Sequence, residues 1–102
     1  MSDVVAKRLK EARLAKGLSQ KKLGIAAGID EFTASPRMNQ YERGVHVPDY
    51  STLERLAQVL EVPAPYFYAA DDELADWIKY FSKLTNNDKE KLKLLIDNIN
   101  HY

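Results

Sequence analysis

The chain has 102 residues, with 15 Lys+Arg against 15 Asp+Glu and 45% hydrophobic residues, the composition of one ordinary globular domain. Zero cysteines and two histidines, His46 and His101, exclude disulfides, thiol nucleophiles and thiolate-bound zinc, and argue against a multi-histidine metal site. No apolar run approaches the ~20 residues of a membrane span, and the charged N-terminal stretch is unlike a signal peptide, so a cytoplasmic protein without cofactor or metal is expected.

The neutral total hides an asymmetry. Lys and Arg outnumber Asp and Glu by four over residues 1–47, and the reverse holds over 48–102. A basic half that faces a polyanion and an acidic half that faces something else is one reading; chance is the other.

Val5, Leu9, Ala12 and Leu14 set an apolar stripe on a first helix from Asp3 to Lys16, with Gly17 at the position just past its end. Ser19 is an N-cap, and Leu18 and Leu23 flank it as a hydrophobic staple. A short second helix, Gln20 to Ala27, stops at Gly28 and turns Leu23, Ala26 and Ala27 inward. Residues 29–34 lack periodicity. Ser35-Pro36 then predicts a helix start, a serine cap followed by proline where its missing N–H costs nothing. This third helix runs to Arg43 and stops at Gly44.

Asp49 caps a fourth helix with Leu53, Leu56, Ala57 and Leu60 on one stripe, and Pro65 opens a short fifth helix containing Tyr66, Phe67 and Tyr68. Further on, Leu74, Trp77, Ile78, Phe81 and Leu84 recur at helical spacing, and Thr85 caps a last helix, Asn86 to Asn100, with Leu92, Leu95, Ile96 and Ile99 in a stripe. The expected architecture is all-α, with residues 71–102 forming a helical hairpin whose apolar faces must be buried against something.

The third helix has two chemically distinct faces. At 100° per residue, Ala34, Met38 and Tyr41 share one side, Pro36, Asn39, Gln40 and Arg43 lie opposite, and Arg37 sits on the flank. Asn or Gln can pair bidentately with adenine and Arg with guanine; the alternative is a merely solvated helix face.

Together Leu18-Ser19-Gln20-x-x-Leu23, Gly28-Ile29, Tyr41-Glu42-Arg43-Gly44, Pro48 and Leu53-x-x-Leu56-Ala57-x-x-Leu60-x-Val62-Pro63 resemble the Cro and phage-repressor (Xre) type of helix-turn-helix protein. The resemblance covers roughly residues 5–68. It implies a five-helix, lambda-repressor-like domain over residues 1–70 that binds duplex DNA as a dimer with its third helix in the major groove. Ser35, Arg37, Asn39 and Gln40 are then the expected base readers, Gln40 because its distance from Gly44 matches the family. Gln20 matches a phosphate-contacting position, Arg43 and His46 form the matching site beyond the third helix, and Lys21 adds attraction or is simply a solubilising lysine. The resemblance also pairs Glu42, which by angle lies near the core face, with Arg13 on the first helix.

Two departures stand out. Position 24, usually alanine in the family, is Gly24, which allows closer helix contact. The stretch Ile29–Gly44 is about four residues longer than usual for this type of motif. Placing the extra residues in Asp30–Ala34 predicts that Phe32 folds back as an apolar plug over the turn; alternatively the third helix starts one turn earlier.

Residues 71–102 are the expected dimerisation extension, with Tyr66, Phe67, Trp77, Phe81, Leu92, Leu95, Ile96 and Ile99 as interface candidates, although packing onto their own domain is the competing reading. The leading functional expectation is a dimeric transcriptional repressor reading an inverted repeat in a bacterial or phage cell. The second is an antitoxin-type protein whose hairpin binds a protein partner. No Ser/His/Asp set or nucleotide loop supports an enzyme.

Overall fold

A computed structural model describes residues 3–100, so His101 lies outside the described residues. The chain forms α1 (Asp3–Lys16), α2 (Gln20–Ala26), α3 (Ala34–Glu42), α4 (Tyr50–Leu60), a 3₁₀ turn (Ala64–Tyr68), α5 (Asp72–Ser82) and α6 (Asn86–Ile99), with no strand among the described residues. The first four helices and the 3₁₀ turn are the five-helix body of a lambda-repressor-like helix-turn-helix fold. None of the described helices is long and apolar enough to cross a membrane.

One core holds the body together. Leu9 of α1, Leu23 of α2, Met38 of α3, Leu53 and Leu56 of α4 and Phe67 of the 3₁₀ turn are fully buried. Each amphipathic helix is too short to be stable alone and is held by burying one face. The caps are local: Ser19, Asp49, Asp71 and Thr85 accept from the backbone N–H three residues on.

Several expectations are corrected. Leu14 is exposed, because five residues past Leu9 carry it about 140° around α1. Ala26 is also exposed. Gly24 is buried, and it shifts the buried face of α2 toward Leu23, Gly24 and Ala27.

The third helix begins at Ala34, earlier than a Ser35 cap requires, and Thr33 stands at its N-cap without a side-chain cap bond. The Asp30 carboxylate accepts from Phe32 N–H at 3.0 Å and the Asp30 carbonyl accepts from Thr33 N–H at 3.0 Å. This turn delivers Thr33 already in the helical region, so α3 winds directly out of it. Pro36 still falls in the first turn, where no intrahelical donor is needed. Phe32 is no plug: it is 85% exposed, because the Asp30 turn holds the segment out from the body.

The last two helices behave differently from the body. α5 is anchored by buried Ala75 and by Ile78, which packs on the core. α6 buries no residue. Trp77 and Phe81 of α5, and Leu94, Leu95, Ile96 and Ile99 of α6, stay exposed, while Leu92 is half-buried. The molecule is correspondingly elongated, 55 × 27 × 22 Å. Tyr66 and Phe67 are core residues, 3% and 0% exposed. They are therefore corrected as interface candidates, because the 3₁₀ turn spends both rings inside its own domain, edge to face with each other at 5.4 Å.

Candidate nucleic-acid interface

The site starts from how closely α2 and α3 approach. Gly24 makes that approach: a methyl group on it would lie 2.9 Å from Ala34 Cβ, closer than real Cβ atoms pack, and at a tight 3.1 Å from Met38 Cγ. Ala34, Met38 and Tyr41 are buried against α2 and the core. That leaves Ser35, Pro36, Arg37, Asn39 and Gln40 exposed along the rest of α3, and Arg43 exposed just past its end.

Behind this face sits a buried polar hub. Arg13 donates through Nε and Nη2 to the two oxygens of Glu42, the Nη2 bond being 2.9 Å, and through Nη1 to the Leu18 carbonyl at 2.9 Å. The Glu42 side chain is only 3% exposed. The Glu42 hydrogen bond raises the Arg13 pKa above its ordinary value, outweighing the opposing effect of desolvation. Gln20 adds a 3.2 Å bond from its side-chain amide to Glu42 and a longer one, 3.5 Å, to Asn39. One carboxylate thus ties α1, the start of α2 and the end of α3 into a fixed arrangement.

The far end of α3 is set by Gly44, whose φ of +75° is open to glycine at little cost. The chain folds back there, and Val45 N–H and His46 N–H both donate to the Gln40 carbonyl, at 3.0 and 3.4 Å. This leaves Arg43 and His46 exposed at the C-terminal end of the exposed face. Lys21 is exposed at the start of α2. Gln20 is not directed outward like the others: it is half-buried and bonded to Glu42.

The structure therefore brings Ser35, Arg37, Asn39 and Gln40 onto one helix surface, and Gln20, Asn39 and Glu42 into one hydrogen-bonded group. It separates Trp77, Phe81 and the α6 residues from this surface onto other elements. Arg8 is the residue that sequence reading passed over. Its side chain is 3% exposed, and its partners are Glu11, Ala69, Ala70 and Asp72. In the sequence it is one more cation in a charged helix; only its register with Val5, Leu9 and Ala12 hints at burial. Among the described residues no group of three or more His, Asp or Glu could hold a metal ion.

Comparison with known proteins supplies the family. Residues 5–65 match a family described as "Helix-turn-helix domain". Two proteins named HTH-type transcriptional regulators, from Sinorhizobium medicae and Rhizobium meliloti, are each 33% identical over 64 residues, covering 63% of this chain. The chain matches only 43% of the length of these relatives. A solved structure of the transcriptional regulator BswR is 50% identical, with a TM-score of 0.86, covering 91% of this chain and 92% of that one. Its likeness extends past the body into the last two helices.

Proposed function

The chain belongs to the helix-turn-helix domain family, and from that premise we propose that it is a dimeric transcriptional repressor that reads an inverted-repeat operator. Residues 1–70 bind the duplex, and residues 71–102 join two copies. The observation that carries this reading is the exposed Ser35–Arg37–Asn39–Gln40 surface of α3, backed by the Arg13–Glu42–Gln20 hub. A recognition helix must be held rigidly to present side chains to base edges in the major groove. Ser35, Arg37, Asn39 and Gln40 read bases, while Lys21, Arg43 and His46 flank them toward the phosphates. Gln20 reaches a phosphate by giving up its long bond to Asn39.

The dimer reading is supported by the exposed apolar side chains Leu74, Trp77, Tyr80, Phe81, Leu94, Leu95, Ile96 and Ile99. At about half exposure each and up to ~200 Å² per aromatic side chain, they sum to roughly 700 Å², close to the ~800 Å² each partner contributes to a standard interface. The acidic balance of this half keeps it away from the phosphates. The protein so described is cytoplasmic and non-enzymatic.

The test is selection of bound duplexes from a randomised pool at two salt concentrations. An inverted repeat should emerge, and Gln40→Ala should relax one position in each half-site. Binding without sequence enrichment, lost as salt rises, means phosphate attraction alone and defeats the reading. The same exposed α5–α6 surface also favours an antitoxin-type protein with a different partner chain. Sedimentation separates the two: a self-associated dimer whose apolar dye binding is low supports the repressor, and a monomer or dye-binding dimer supports a separate partner.

A further inference from the structure

Beside the apolar anchors Ala75 and Ile78, the junction between the body and the C-terminal helices holds one buried cation, Arg8. Arg8 Nε donates to the Ala69 carbonyl at 2.8 Å, and Nη2 donates to the Ala70 carbonyl at 3.1 Å. Nη2 also lies 2.9 Å from the Asp72 carboxylate, and Nη1 lies 2.9 Å from Glu11. The guanidinium stands 5.8 Å from the Tyr66 ring centroid. Lys7 Nζ donates to the same Asp72 oxygen at 3.1 Å.

Two consecutive carbonyls of the linker and the first carboxylate of α5 thus converge on a planar fork. Such a fork fixes direction as well as distance, since each N–H bond is lost by a modest rotation. A buried charged group is also a poor device for stability alone, because an apolar residue of similar volume would often serve as well. What the fork adds is a defined angle at which α5 leaves the body. No residue of α6 is buried, so the extension is seated on the body mainly through α5.

We propose that Arg8, acting through Ala69, Ala70 and Asp72, is the positioning residue that sets the spacing between the two half-sites of the operator. The inference rests on the dimer reading above. In a dimer joined through residues 71–102, the angle at this junction determines where the second α3 lies. Each added base pair rotates a half-site by roughly 35° about the duplex axis, since a turn takes 10–10.5 base pairs. A rigid junction therefore accepts a narrow range of spacings, and a loose one accepts several.

The experiment uses the full chain and duplexes carrying the selected half-site as inverted repeats at a series of spacings. Arg8→Met keeps the apolar stem and removes the fork. Asp72→Ala removes one partner whose side chain is 71% exposed, so it leaves the fold intact if Arg8→Met does not. The wild type should favour one spacing over its neighbours by about tenfold or more, and the variants by under about threefold. Half-site sequence and dimer mass should stay unchanged, so that the spacing preference is the readout that a merely structural role for Arg8 would not move. Asp72→Glu should restore the preference. An unchanged spacing optimum in folded, dimeric variants overturns the inference and leaves the dimer reading standing. A wild type that sediments as a monomer, or binds single half-sites only, overturns the dimer reading and the inference with it.

Discussion

Arg13 on α1 and Glu42 at the last position of α3 meet fork to fork, the two carboxylate oxygens accepting from Nε and Nη2 along one edge of the guanidinium. The pair links residues 29 apart in the chain and lies directly behind the face proposed to read DNA. It also receives the Gln20 amide, so the two ends of the α2–turn–α3 unit share one electrostatic anchor.

Removing either partner should leave an uncompensated, largely buried charge. Arg13→Ala and Glu42→Ala are each expected to cost about 3–5 kcal/mol, and the double variant clearly less than their sum. Denaturant unfolding of the four proteins measures this coupling; additive losses would show that the two side chains act independently.

Gly24→Ala should destabilise the protein. The better helix propensity of alanine, up to ~1 kcal/mol, is opposed by an overpacking cost of about 1–3 kcal/mol, since the new methyl meets Ala34 Cβ at 2.9 Å. Adding Ala34→Gly removes that atom. The two substitutions together should therefore cost less than the sum of the separate ones, as read from melting curves.

Phe32→Ser tests the exposed turn. With 85% of the side chain already in water, the stability change should stay within about 0.5 kcal/mol. A loss of several kcal/mol in urea would place the ring inside the fold after all.

Acid should loosen the junction of body and extension. Hydrogen bonds from Lys7 and Arg8 hold the Asp72 carboxyl below its ordinary value. A folded-state value below the unfolded one means that its contribution is complete above the unfolded value, near pH 4, and is lost as pH falls through the folded one. Asp49, lowered by its bonds to Thr52, and Glu61, lowered by Lys16, act in the same direction. The difference between wild type and Asp72→Asn isolates Asp72. Trp77 emission should report an acid transition below about pH 4 that is weakened in the variant.

Salt dependence separates the two kinds of DNA contact. Lys21→Ala should weaken binding to all duplexes alike and reduce the salt slope by about one. Gln40→Ala should leave the slope alone and lower discrimination at one base pair in each half-site. Equal effects on operator and random duplex for both variants would remove the assignment of base reading to α3.

Much of the fold was legible because its signals are local. Caps at Ser19, Asp49 and Thr85, stops at Gly17, Gly28 and Gly44, and the stripe from Leu53 to Leu60 each depend on residues within a turn or two of one another. The two faces of α3 follow from the same helical period, so the exposed polar surface could be drawn before the fold was known. Ser35-Pro36 is a strong local signal for the start of α3, yet the Asp30 turn, anchored by Ala34 packing on Gly24, begins the helix sooner.

By itself, then, the order of residues determined the helices, their polar and apolar sides and the family resemblance, since these are properties of short-range spacing. Tertiary structure alone decided what each side meets. It made Gly24 a contact point, drew Tyr66 and Phe67 into the core, turned Phe32 to solvent and converted Arg8 from a surface cation into the buried junction of body and extension. The physical reason is that burial and hydrogen-bond partnership depend on which distant segments converge. Arg8 meets Ala69 across 61 residues, a distance over which no local pattern carries information.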